Sequence, residues 1–302
     1  VISYFLIEKP FRNRQFLGGK KFIATILILL IAVIGLNWKA IESKGWLFHE
    51  PIPNFEAMLD PKLKKRLDEW VWTSKNNLDI KKKPNFNKKS DIKILVVGDS
   101  NSADFINMLE KINAPVVMDI ISIRNFSRCG ALYKIPIEEY AKFKNKKKRN
   151  KEDCFNFNSM SFKNIVQKSD VVIWAQNWVE WESKFFGRSL INLKEDFGNK
   201  FYFVLNKHIK PLKQIELFNL KNSVNVYLQI NKKKQKINEL MKANEGVNYL
   251  NYYEIVCNKN KCPKILNNKI IMYDNFHLTE DGARLFADNF VKKGFFEKLI
   301  SK

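Results

Sequence analysis

Histidine occurs only three times in these 302 residues, as His49, His208 and His277. So small a set leaves little room for a histidine-rich metal centre, and no metal is expected. Cysteine is nearly as sparse, with four residues, too few for a small disulfide-built scaffold in a chain this long. Eleven Gly and nine Pro exclude a collagen-like repeat and a Gly/Pro-rich disordered tail. Long apolar runs are missing except for one, which excludes many membrane spans within these residues. Acidic side chains are outnumbered, 31 against 53 Lys and Arg, for a formal net charge of +22. Against these scarcities stands an apolar content of 45%. A folded part of about 200 residues is large enough to bury its own core.

The basic excess is not read as a nucleic-acid footprint. The lysines are spread along the chain among Asn, Ile and Phe, whereas a phosphate-binding surface concentrates charge on one face. The densest run, KFKNKKKRNK over 142–151, lies between Cys129 and Cys154 and forms a cationic loop. Such a loop is either simply solvated or an attractor of anionic glycan or lipid phosphate.

The one apolar run is FIATILILLIAVIGLNW, 17 charge-free residues over 22–38. At about 1.5 Å per residue it just crosses a hydrocarbon core if the flanking lysines snorkel. A single transmembrane helix is therefore expected over 22–38, with a buried helix or a signal-peptide core as alternatives. Lys9, Arg12, Arg14, Lys20 and Lys21 precede it with only Glu8 opposing, while Lys39, Glu42, Lys44 and Glu50 follow. The positive-inside bias keeps 1–21 in the cytoplasm and sends everything after Trp38 across the membrane. The apolar opening VISYFLI is expected to be the end of a preceding span. The first residue is Val, so the chain is expected to be a processed product or part of a longer protein.

The even cysteine count suits an oxidising compartment. Of three possible pairings the sequence-local one is expected, Cys129 with Cys154 and Cys257 with Cys262, against four reduced thiols.

Residues 39–90 show no sustained periodicity and read as a linker or extension with one helix near Pro61–Ser74. From residue 91 the pattern changes. KILVVGDS, VVMDIISI (116–123), VVIWA (171–175), FYFVLN (201–206) and VNVYLQI (224–230) are apolar almost throughout. Strands buried on both faces of a parallel sheet have this character. Helical stretches separate them: SADFINMLEKI, FKNIVQKS, NKKKQKINELMKAN and TEDGARLFADNFVKKGF. The alternation predicts a three-layer α/β/α domain over 91–302.

Chemistry in such folds sits at the carboxyl ends of the strands. Gly98-Asp99-Ser100 follows the first strand and opens a helix, where Ser100 can act as nucleophile or Asp99 and Ser100 can simply cap the helix. Asp274-Asn275-Phe276-His277 precedes the last helix. His277 is the one histidine with a carboxylate at useful spacing, so it can serve as a base oriented by Asp274, or the loop can simply cap the last helix through Thr279 with Asp274 solvated. Asn177, after the VVIWA strand, can donate a hydrogen bond to an oxyanion or be an ordinary loop residue.

Together these blocks resemble the SGNH (GDSL-like) esterase and acyltransferase superfamily. Gly98-Asp99-Ser100 resembles its first block, Ala175-x-Asn177 its third with Ala in place of Gly, and Asp274-x-x-His277 its last. Gly130, in NFSRCGALY, is the one glycine available for the second block. SYFLIEKPFR (3–12) resembles the end of the membrane domain of acyltransferase-3 proteins, whose fused members carry a periplasmic SGNH domain after one extra span. The resemblance implies a Ser100–His277–Asp274 triad, with Ser100 N–H, Gly130 and Asn177 as oxyanion donors. It implies an inner-membrane O-acetyltransferase with a periplasmic catalytic domain, acting on a surface glycan such as O-antigen, lipooligosaccharide or peptidoglycan. No cofactor would bind this chain directly. Acetyl-CoA would be the ultimate donor, through an acyltransferase-3 membrane domain joined upstream, and the bilayer would be a further partner. A tethered esterase removing acetyl groups and a non-catalytic glycan-binding module are the alternatives.

Overall fold

The computed structural model describes residues 19–42, 61–126, 129–130, 132–136, 138–139, 156–211 and 224–301. The chain divides into two compact units, Val1–Pro51 and Ile52–Lys302.

In the first unit one helix, α1 (Gly19–Glu42), covers the apolar run. Its Ile28, Ile31 and Leu30 are exposed. Among the described residues, however, no helix is long and apolar enough to cross a membrane. The expected transmembrane helix over 22–38 is therefore not supported among the described residues.

The second unit is built from α2 (Pro61–Asn77), β1 (Ile92–Gly98), α3 (Ser100–Leu109), β2 (Met118–Arg124), α4 (Met160–Lys168), β3 (Val171–Ala175), α5 (Glu180–Phe197), β4 (Phe201–Val204), β5 (Val226–Gln229), α6 (Lys232–Lys242), β6 (Asn248–Leu250), α7 (Tyr252–Val256), β7 (Lys261–Leu266), β8 (Lys269–Ile270), α8 (Glu280–Lys292) and α9 (Phe295–Ile300). Five strands form a wholly parallel sheet in the order β2-β1-β3-β4-β6.

Alternate strand residues point to opposite faces, and each face is covered. Ile94, Val96, Ile173 and Val204 pack with Phe105 and Ile106 of α3 and Phe286 and Phe290 of α8. Leu95, Val97, Val172, Trp174 and Phe203 pack with Phe162 of α4, Phe186 and Leu190 of α5 and Ile237 and Met241 of α6. This is the expected three-layer arrangement. Burial of a Leu, Ile or Phe side chain contributes about 1.5–3 kcal/mol, so the two clusters supply most of the drive to fold.

One strand was placed wrongly by the sequence reading. β5 does not join the parallel sheet; it pairs antiparallel with β7, which pairs with β8. Val226 and Leu228 are buried while Tyr227 and Gln229 are exposed. That alternation marks a sheet with one wet face. Cys257, following α7, is disulfide-bonded to Cys262 on β7, as expected. Cys129 is also disulfide-bonded; Cys154 and the 142–151 run lie outside the described residues.

The order of strands makes β1 the point where connections leave toward both sides, β2 on one and β3 on the other. The crevice at such a point, beyond the carboxyl ends of the strands, is where α/β folds bind ligands.

Candidate active site

β1 ends at Gly98, which pairs with Ala175 of β3. Its φ is +146°, and a Cβ there would stand 1.8 Å from the Ala175 carbonyl oxygen. Only glycine lets the two strand ends approach this closely. The next residue, Asp99, uses both carboxylate oxygens. Oδ1 accepts from the Asn101 N–H at 2.9 Å and from Asn101 Nδ2 at 3.1 Å, capping α3, and Oδ2 accepts from the Asn177 N–H at 2.9 Å. One side chain thus ties the turn after β1 to the loop after β3.

Ser100 is the first residue of α3, half-exposed at the positive end of the helix dipole. Beneath its turn, Lys75 of α2 is fully buried. Its ammonium donates to Gly98 O, to Asp99 O at 3.1 Å and to Ser102 Oγ. Burial pushes this lysine down to about 7, with the Asp99 charge opposing and Arg124 reinforcing the fall. A helix assigned to the linker by its position in sequence therefore supports the turn that presents Ser100.

Asp274 and His277 occupy the loop before α8. His277 Nδ1 and Asp274 Oδ2 are 2.6 Å apart, and Asp274 Oδ1 accepts the main-chain N–H of Phe276 at 2.8 Å and of His277 at 2.6 Å. Burial raises the Asp274 pKa, but the hydrogen bonds and charge of His277 and the Phe276 N–H outweigh it and bring the carboxyl to about 2. The imidazole stacks on Tyr273, with ring centroids 5.5 Å apart, and Phe276 leans on it at 4.0 Å. The Tyr273 hydroxyl donates to Asp68 of α2 at 2.7 Å. With Nδ1 held by a carboxylate, Nε2 is the nitrogen left to exchange protons.

The loop is docked on the helix that carries Ser100. The Leu278 N–H donates to Asp104 Oδ2 at 3.3 Å, and Asp104 stands one turn beyond Ser100 on the same helix face. Tyr273 also packs against Ala103. Asp104 is paired with Lys207, which follows β4, at 2.8 Å, both side chains being under 5% exposed. Burial raises the Asp104 pKa against the pull of Lys207 and His277. Lys207 further donates to Asn101 Oδ1. His277 Nε2 is buried without a hydrogen-bond partner among the described residues, so Ser100 and His277 are not hydrogen-bonded in this structure. Such contacts commonly close only in the substrate complex.

The other expected donors divide. Asn177 lies on the same rim, its Oδ1 accepting from Lys234 of α6. Gly130 adopts φ +70° and accepts from Asn125 Nδ2 at 3.1 Å. Its N–H lies near the buried Glu182 carboxyl without closing a hydrogen bond on Oε1. Burial pushes Glu182 up to about 8, the nearby Asp99 charge adding to the rise. His208 stacks on Phe276 with centroids 4.7 Å apart and is driven down to about 3 by burial and by Lys234 and Lys207. It is a neutral wall of the site. His49 lies outside the described residues. Among the described residues no group of three or more His, Cys, Asp or Glu could hold a metal ion.

Lys75, Asp104, Lys207, Lys234 and Glu182 were not singled out by sequence. Their one signal was charge within otherwise apolar or helix-forming segments, which a lysine-rich chain obscures.

No curated protein sequence matches the chain. Among solved structures, the periplasmic domain of a lipopolysaccharide acetyltransferase from Salmonella ser. Paratyphi A is similar at 15% identity and TM-score 0.47, covering 69% of this chain and 85% of that one. An acetylxylan esterase from Geobacillus stearothermophilus is similar at 11% identity and TM-score 0.34, covering 68% and 94%. A lipolytic protein of the G-D-S-L family from Veillonella parvula DSM 2008 is similar at 12% identity and TM-score 0.34, covering 66% and 96%. The profile of a family described as "SGNH domain (fused to AT3 domains)" matches residues 72–292, most of the chain, and the protein therefore belongs to that family.

Proposed function

We propose that this chain is an O-acetyltransferase acting through an acyl-serine on a hydroxyl of a cell-surface glycan. The observation that carries the reading is the Asp274–His277 pair, held 2.6 Å apart and docked through Leu278 onto the helix that Ser100 opens. In the first half-reaction His277 Nε2 takes the Ser100 proton as Oγ attacks the acetyl carbonyl. The tetrahedral oxyanion collapses, the donor's leaving group departs with the proton, and acetyl-Ser100 remains. In the second, His277 deprotonates the glycan hydroxyl, which attacks the acetyl carbon, and the proton returns to Ser100. Asp274 holds the imidazole in the tautomer this needs. The Ser100 N–H and the Asn177 side chain hold the oxyanion; removing one such donor typically costs about 10²–10³ in turnover. Gly130, its N–H directed toward Glu182, is the weaker donor.

Family membership supports a donor supplied in cis by an AT3 membrane domain, with acetyl-CoA as the ultimate source and no cofactor held by this chain. It likewise supports placing the SGNH unit in the periplasm at the inner membrane. The exposed Ile28, Leu30 and Ile31 of α1 suit lipid contact. The test is partition of one acetyl group. Wild-type chain given an acetyl ester and a soluble polysaccharide should form acetylated glycan, and Ser100→Ala should form none. Acetate release to water with no glycan product, even at saturating glycan, would instead make the protein an esterase. Equal activity of Ser100→Ala would remove the triad altogether.

A further inference from the structure

The side-chain amide of Asn177 carries an acceptor and a donor of nearly equal shape, so its use as an oxyanion donor depends on which end faces the substrate. Something must fix that choice. α6 opens with three consecutive lysines, of which Lys232 and Lys233 are exposed and Lys234 is half-buried. The Asn231 cap accepts from the Lys234 N–H at 3.2 Å, which sets where the lysine leaves the helix. Its ammonium donates to Asn177 Oδ1 and, at 2.7 Å, to Trp178 O.

An ammonium has three donors and no acceptor. The atom that faces it must be oxygen, because an amide turned round would press NH2 against NH3⁺. The backbone of Asn177 is held independently by Asp99, through its N–H at 2.9 Å. With the main chain pinned from α3 and Oδ1 pinned from α6, the Nδ2–H2 group is turned away from both. We propose that Lys234 is a positioning residue that locks the Asn177 amide with its donor end toward the acyl oxyanion. This rests on the reading of Asn177 as an oxyanion donor. Such locking spares the amide a reorientation at the moment charge develops.

The experiment uses the full chain, 4-nitrophenyl acetate as acyl probe, and the ¹⁵N side-chain amide resonance of Asn177, assigned by its loss in Asn177→Ala. Lys234→Met keeps the aliphatic stem and should lower kcat about tenfold with KM within about twofold, and should shift the Asn177 resonance. Lys234→Arg, which retains donors, should recover to within about threefold. In the Asn177→Ala background Lys234→Met should cost nothing further, since the amide it orients is gone. An unmoved resonance in Lys234→Met overturns the inference, as does a loss that adds in full to that of Asn177→Ala. Ser100→Ala separates the two levels: turnover equal to wild type discards the acyl-transfer reading, while the amide resonance still decides the role of Lys234.

Discussion

Replacing Lys207 by Met leaves the Asp104 carboxylate alone in the interior. The pair lies 2.8 Å apart with side chains 4% and 1% exposed, and Asp104 Oδ1 has no hydrogen-bond partner to share the charge. Breaking a pair this deep costs about 3–5 kcal/mol because the surviving charge is desolvated and unpaired. The cost must depend on pH, and its sign follows from proton counts. Burial already raises the folded pKa of Asp104 above its ordinary 3.8, and loss of Lys207 raises it further. Above the unfolded value the folded state then binds more protons than the unfolded state, so stability falls as pH rises. The deficit of Lys207→Met relative to wild type should be small near pH 4 and grow toward pH 8. Urea unfolding at both pH values, with the slope checked for constancy, measures it. Adding Asp104→Asn to Lys207→Met should erase most of the pH dependence. A deficit under about 1 kcal/mol, or one equal at pH 4 and pH 8, would refute the electrostatic reasoning and leave only lost packing. Because Asp104 also holds the Leu278 N–H beside His277, acetyl-ester turnover at pH 7 should fall along with stability.

Three further outcomes are expected. Asp274→Asn presents an NH2 to His277 Nδ1 and favours the wrong tautomer, so turnover should fall about 10⁴-fold; its stability, unlike that of wild type, should lose little as pH drops from about 4 to 2, because Asp274 titrates at about 2 when folded. Gly98→Ala should destabilise by about 3 kcal/mol or more, read from its urea midpoint, since its Cβ meets the Ala175 carbonyl at 1.8 Å. Glu182→Gln should raise stability at pH 8 relative to pH 5, because a carboxyl ionising at about 8 when folded and 4.5 when unfolded costs stability across that interval; a midpoint difference unchanged between the two pH values would contradict this.

The sequence disclosed what local chemistry dictates. Runs such as ILVV and VVIWA read as buried strands, and Asp274, three residues before His277 in a tight loop, is close enough in sequence to meet it. It concealed what depends on partners far along the chain. The apolar density of VNVYLQI imitates a two-faced strand, although Asn225, Tyr227 and Gln229 alternate with its buried residues, and only β7 reveals the wet face. α5 passed unnoticed because charged residues interleave with its buried Phe186, Leu190 and Leu193. Lys75, Lys207 and Lys234 look like any other of the chain's lysines until their acceptors, supplied by β1, α3 and the loop after β3, are in place.

The central claim is that Ser100 carries the acetyl group. Mass spectrometry of the full chain, acid-quenched during turnover of an acetyl ester, tests it most directly. One acetyl group should appear on the peptide containing Ser100, and none in His277→Ala. Acetyl transfer or acetate release at the wild-type rate by a chain lacking the Ser100 hydroxyl, with no acetyl on that peptide, would contradict it.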